Sequence, residues 1–180
     1  GDALVQGYRT AELSGSAAVL LPDNVILGGR GIGDLVDWYD GTDRPVWGKT
    51  MVTREQARYF GNSGDYEPVN KGTSDKKVER VRRLQDKQRG HFIDRELDWP
   101  APRLIGRTVM PPTFFKLAAD MSPDPETGEL DDVPIYRRML QSEPGFAVPI
   151  SGTVYDMGEP EGYLRLSSTY FERKDNASTD

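Results

Sequence analysis

An α+β domain built on a mostly antiparallel sheet is the fold class this sequence predicts, and three observations carry it. Apolar or alternating runs of strand length gather towards both ends of the chain, at 3–13, 17–21 and 25–27, then at 146–150, 153–156 and 163–171. Segments with helical spacing lie between them, which is the arrangement of an α+β fold. Nineteen Gly and thirteen Pro punctuate a chain that is only 36% hydrophobic, so short strands, short helices and a loop-rich body are expected. Residues 1–173 read as one domain with a long loop at 61–74 and an acidic loop at 122–134, and 174–180 as a polar tail.

In 3–13, Leu4, Gln6, Tyr8 and Thr10 alternate with Val5, Arg9 and Ala11, a strand pattern. Ser14-Gly15-Ser16 turns the chain into 17–21, and Pro22-Asp23-Asn24 turns it again into Val25-Ile26-Leu27, so a hairpin is expected. Gly28, Gly29, Gly31 and Gly33 form a glycine loop, after which Ile32, Leu35, Val36 and Tyr39 follow at helical spacing. A polar break ending in Pro45 leads to a strand over 46–52. Thr53 and Gln56 then have capping-box spacing, in which each side chain reaches the other's backbone N–H, and open a short helix to Phe60.

The segment 61–74 holds almost no aliphatic residue besides Val69 and reads as an exposed loop. Over 75–89 a helix is expected, ended by Gly90, with a stripe of Val78, Val81 and Leu84 too narrow for a central position. Between paired prolines, 103–110 is a strand; 113–121 is an amphipathic helix, and 135–141 makes one or two helical turns. Tyr163, Arg165, Ser167, Thr169 and Phe171 alternate with Leu164, Leu166, Ser168 and Tyr170, a final strand.

Composition narrows the function. There is no Cys, so thiolate metal sites and cysteine catalysis are excluded. A net charge of −6 argues against a surface that binds nucleic acid or anionic membrane over its whole extent. No apolar run has the length of a membrane span and no leader pattern is visible, so cytoplasm or a virion is the expected location. Three Trp, eight Tyr and six Phe supply enough anchors to exclude a wholly disordered chain.

The glycine loop has the strand–loop–helix order that a phosphate-cradling turn needs; the other reading is a turn built for close packing. With the Tyr170/Lys174 pair it resembles the short-chain dehydrogenases, which implies a dinucleotide site. Its spacing of Gly28, Gly31 and Gly33 is one residue shorter than that family's turn. Arg9, Thr53 (or Thr50), Glu159 and Glu161 occur in an order that resembles the Arg–Ser–Glu type of ADP-ribosyltransferase. That resemblance implies NAD, with Arg9 on its phosphates and Glu161 at the ribosyl cation.

His91, Asp94, Glu96 and Asp98 cluster in sequence but read as a surface ion-pair group, and Asp124, Glu126, Glu129, Asp131 and Asp132 do not fall at EF-hand positions. No metal and no cofactor are therefore expected. The basic residues Lys76, Lys77, Arg80, Arg83 and Lys87 would lie along a phosphate backbone or dock on the acidic loop of another copy. Trp38, Trp47 and Trp99 sit beside chain breaks, where they would serve as interface anchors. With so little apolar material for so much irregular backbone, the leading expectation is a non-enzymatic structural protein. It would be a subunit of a larger assembly, with other subunits or copies of itself as partners and a viral or phage particle as one suitable setting. The NAD-using transferase and a nucleic-acid-binding module are the alternatives.

Overall fold

The computed structural model describes all residues except 40, 42, 59, 61–63, 70–77, 85–97, 159 and 178–180. The longest described strand is the ten-residue β6 (Ala101–Met110). Antiparallel to it on one side runs β1 (Ala17–Leu20), and on the other β3 (Val46–Val52). Beyond β3 come β7 (Gly145–Pro149), β5 (Glu79–Leu84) and β4 (Gly64–Pro68), giving the order β1-β6-β3-β7-β5-β4. Only β3 and β7 run parallel in this mixed, mostly antiparallel sheet. A separate two-stranded ladder pairs β2 (Asn24–Leu27) with β8 (Thr153–Asp156).

Strand alternation sends neighbouring side chains to opposite faces, and the apolar clusters divide accordingly. Trp47, Leu104, Met110, Val81 and Ala147 meet helices α1 (Asp2–Thr10), α3 (Pro112–Ala119) and α4 (Asp132–Leu140) through Val5, Phe114, Phe115, Ile135 and Tyr136. Val46, Val109, Phe146 and Val148 meet Leu35 of α2 (Ile32–Trp38) on the other side. A third cluster joins Val52, Ala57, Phe60, Ile105 and Val154. No helix among the described residues is long and apolar enough to cross a membrane.

The α+β class and most central elements agree with the expectation; the ends of the chain do not. Residues 3–13 open with helix α1, because Leu4, Val5 and Tyr8 share one helical face on the core, where Tyr8 stacks on Phe115 at 3.7 Å. The hairpin over 17–27 does not form. Leu21 N–H donates to Gly106 O at 2.8 Å and Gly106 N–H to the Asn24 side chain at 2.7 Å, so β1 stays on β6 and β2 leaves for β8. The helix expected over 75–89 is corrected too, since 79–84 is strand β5. Val78, just before the strand, packs in the second cluster, whereas Val81 and Leu84 pack in the first. The capping box forms as written, at 2.9 and 3.3 Å, yet opens only the single turn η1 (Gln56–Arg58).

Within 61–74 runs strand β4, and α4 begins inside 122–134 with Asp131 as its cap, accepting from Val133 N–H at 3.3 Å. The final strand is instead α5 (Pro160–Ala177). Its Ser and Thr side chains mimic a strand composition, but the Ser167 and Thr169 hydroxyls donate to the carbonyls of Tyr163 and Arg165. Glu161 and Arg165 pair four residues apart, at 2.6 Å.

Candidate functional site

The glycine loop is filled by protein. A Cβ on Gly29 would fall 1.8 Å from the carbonyl oxygen of Ser151, so only glycine lets the loop press on the β7–β8 connection. The Ser151 hydroxyl accepts from Arg30 N–H at 3.0 Å. Asp34, 2% exposed, in turn accepts from Ser151 N–H at 2.8 Å and from its hydroxyl at 2.6 Å. One N–H of the loop, that of Arg30, is thus taken by a side chain, and Gly29 packs as the close-packing reading of Gly28–Gly33 expects. The dinucleotide site implied by the short-chain dehydrogenase resemblance is therefore not formed here, and Tyr170 lies exposed on α5.

An open cleft of about 230 Å³ lies elsewhere, between β1, β6 and α4. Its floor is aromatic: Trp47 and Tyr136 meet edge to face at 5.2 Å and 81°, and both are almost fully buried. Burial, and after it the charge of Asp132, raise the Tyr136 phenol well above its ordinary range, so the hydroxyl keeps its proton. Asp132 and the buried Thr108 add polar groups beside it.

Two further carboxylates stand at the strand ends that border the cleft. Asp23 immediately precedes β2 and Asp156 ends β8, and the ladder sets Asn24 opposite Asp156. The Met157 N–H donates to Asp23 O at 2.6 Å, locking the two ends together. Asp156 Oδ1 accepts from Gly158 N–H at 2.8 Å. A Cβ on Gly158 would sit 3.0 Å from Asp156 Oδ1 and 3.8 Å from Asp23 Oδ2, so the two carboxylates converge on one point of the backbone.

Their frame is fixed from β6. Arg107 donates to the carbonyls of Leu21, Asn24 and Gly106, tying both strand ends to the sheet. Desolvation lowers the Arg107 pKa, and the nearby Asp23 charge works the other way. Gly106 lets β1 approach, because a Cβ there would lie 2.6 Å from that of Leu21. Among the described residues no group of three or more potential metal-ligating His, Asp or Glu converges. A cation here would have the Asp23 and Asp156 oxygens and otherwise water or ligand oxygens.

The fold is α+β on a mixed, mostly antiparallel six-stranded sheet, and comparison with solved structures supplies its neighbours. A UDP-glucose pyrophosphorylase in complex with UDP-glucose superposes with a TM-score of 0.75 at 18% identity, over 95% of this chain and 61% of that one. The apo form of a UDP-glucose pyrophosphorylase gives 0.74 at 18%, over 96% and 59%. A UTP-bound UGPase from Acinetobacter baumannii gives 0.67 at 15%, over 93% and 54%. The chain thus spans less than two thirds of each of these proteins, and at such identities the likeness is one of fold. Neither a family model nor a curated protein matches the sequence. The expectation of a non-enzymatic assembly subunit or virion component is overturned by this likeness, because the neighbours that share the fold are nucleotidyltransferases.

The other sequence-derived candidates fall in scattered places. Arg9 lies on α1, in a groove against α3 lined by Tyr8, Leu13 and Phe115, whereas Glu161 pairs with Arg165 on α5 and lines none of that groove. Thr53 caps η1. The Arg–Ser–Glu transferase constellation is therefore not assembled, and Glu159 lies outside the described residues. Arg80 and Arg83 are exposed on strand β5; Lys76, Lys77, Lys87, His91, Asp94 and Glu96 lie outside the described residues. With 79–84 in a strand, the basic helix of the nucleic-acid alternative is not formed there.

Trp47 is core and cleft floor, Trp38 packs edge to face on Phe146 at 6.2 Å, and Trp99 lies beneath the Arg103 guanidinium at 5.5 Å. No sequence motif marks Asp23, Thr108, Tyr136 or Asp156, and Asp132 stands out only as part of the acidic cluster. Asp23 follows the apolar run 17–21 and Pro22, and Asp156 closes the run 153–156 two residues ahead of Gly158, positions where loops carry chemistry.

Proposed function

We propose that this chain binds the sugar-phosphate portion of a nucleotide sugar in the β1–β6–α4 cleft, as part of a nucleotidyltransferase-type site. The single observation that carries the reading is the convergence of Asp23 and Asp156 beside an aromatic, acid-lined cleft in a fold shared with a protein complexed with UDP-glucose. Trp47 and Tyr136 form the apolar floor beneath a sugar, and Asp132 and Thr108 stand beside it as polar partners for its hydroxyls. Two hard carboxylate ligands suit a Mg²⁺ ion, which keeps several waters and completes its shell with phosphate oxygens. Such an ion, when bound, would neutralise charge on a pyrophosphate. The work of this chain is then to hold Asp23 and Asp156 in register through β2–β8, and to orient the sugar against the aromatic floor.

Isothermal titration of the purified chain with UDP-glucose and Mg²⁺ tests this. Saturable binding is expected, weakened at least tenfold by Asp23→Asn or Asp156→Asn and weakened on removal of Mg²⁺. Absence of binding at millimolar UDP-glucose, with NMR spectra showing the chain folded, would contradict it.

A further inference from the structure

We propose that the cavity between the end of β5 and the last turn of α4 is a second binding site, for a small phosphate-bearing anion. This cavity of about 390 Å³ is lined by Arg82, Arg83, Arg137, Leu140 and Gln141, and shares no lining residue with the β1–β6–α4 cleft. It does not rest on the nucleotide-sugar reading, because the two sites lie towards opposite ends of the strands. β5 runs antiparallel to β7 and so ends where β3 and β7 begin. β1 and β3 are both antiparallel to β6, so Asp23, which follows β1, lies towards the other end.

Two elements gather the cations. On β5, Arg83 lies opposite Asp65 and Val81 opposite Tyr66, so Arg82 is an extra residue at a bulge. A bulge re-aims side chains, and here two adjacent arginines that regular alternation would send to opposite faces line one cavity. From α4, Arg137 donates through Nε and Nη2 to Leu84 O at 3.2 and 3.1 Å, which fixes the plane of its guanidinium. The helix dipole accounts for an arginine in the last turn of α4, but not for the pair on the facing strand. The chain carries a net charge of −6, yet among the described residues this lining holds three guanidinium groups and no carboxylate. Glu67 pairs with Arg82 at 2.9 Å from outside the lining, and Arg83 has no ion-pair partner among the described residues. Like charges around one cavity repel, and a bound anion removes that repulsion. Guanidinium forks match phosphate oxygens two at a time, and three of them suit a multiply charged group better than a single carboxylate. The volume falls within the ~300–1,000 Å³ of small-molecule sites, and Leu140 offers an apolar wall beside the charge, which fits pyrophosphate or a small phosphate monoester.

Isothermal titration of the full chain with pyrophosphate and with phenyl phosphate tests this, at physiological salt and with EDTA present so that Mg²⁺-dependent binding at the cleft does not contribute. Saturable binding of at least one probe is expected, and the tighter of the two tells a free phosphate from an ester. Arg83→Gln, at an exposed position, should weaken it about tenfold with an unchanged melting temperature. Arg54→Gln, which removes an exposed arginine elsewhere, should leave it as it was. Absence of saturable binding to a chain that NMR shows folded overturns the proposal. So does an equal loss in Arg54→Gln, which would reduce the effect to overall charge, or citrate binding as tightly as both phosphates. The same loss in Asp23→Asn would move the binding to the cleft and overturn the second site, while UDP-glucose titration with Mg²⁺ reports on the cleft separately.

Discussion

Two regions at opposite ends of the β2–β8 ladder each hold aspartate, and they do opposite things. In the loop that leads into α2, Asp34 is buried and spends its oxygens on Ser151, while Gly29 makes room for the backbone that brings Ser151 there. At the β2 and β8 ends, Asp23 and Asp156 are held in place chiefly through backbone and through Arg107, and their carboxylates border a cleft. A glycine-rich loop becomes an anion site only if its N–H groups are left to the ligand, and here the Arg30 N–H already donates to Ser151. What distinguishes a lock from a site is the source of the hydrogen-bond partners, which no local motif records.

Substitutions sharpen that contrast. Trp47 belongs to the core as much as to the cleft, so Trp47→Ala should lower unfolding free energy by about 3–5 kcal/mol in urea melts as well as weaken ligand binding. Gly29→Ala should cost about 3 kcal/mol, because its Cβ meets backbone rather than a mobile side chain; a neutral result would show that the loop is not packed as described. Asp34→Ala should cost about 2 kcal/mol by leaving the Ser151 N–H without its acceptor.

Asp23→Asn and Asp156→Asn fall on the other side of the comparison. Each should shift stability by less than ~0.5 kcal/mol while reducing Mg²⁺-dependent UDP-glucose affinity at least tenfold. Equal damage to stability and binding would make these carboxylates a second lock.

The smallest effect concerns the acidic connection before α4. Asp124 accepts from Thr127 and Glu126 N–H at 3.0 and 2.8 Å, which lowers its pKa below the ordinary carboxylate range. A lowered folded-state pKa means that its contribution is intact above ~4 and is lost as pH falls further through the folded value. An NMR titration should place the Asp124 midpoint below ~3.9, and disappearance of the Glu126 and Thr127 shift changes in Asp124→Asn would confirm the cause.

Legibility followed the range of the interaction. The strand 46–52, the helix start at Ile32 and the Thr53–Gln56 box were readable because their patterns are satisfied within a few residues. α1 and α5 were not, since period-two alternation in Leu4–Ala11 and Tyr163–Phe171 coexists with a helical repeat, and contact with Phe115 or an i,i+4 ion pair decides between them. β5 shows the reverse, with charges that suit a surface helix on a strand that pairs on both edges.

By itself, then, the sequence determined the mixture of strand and helix, the central elements and the absence of thiol chemistry, all of which depend on composition or on neighbours a turn away. Tertiary structure alone decided that Asp23 and Asp156 meet across 133 residues' worth of chain order reduced to one strand pair, Asn24 opposite Asp156. It also decided that Asp34 is spoken for. The physical reason is that carboxylate function depends on which donors reach it, and those donors arrive from distant strands.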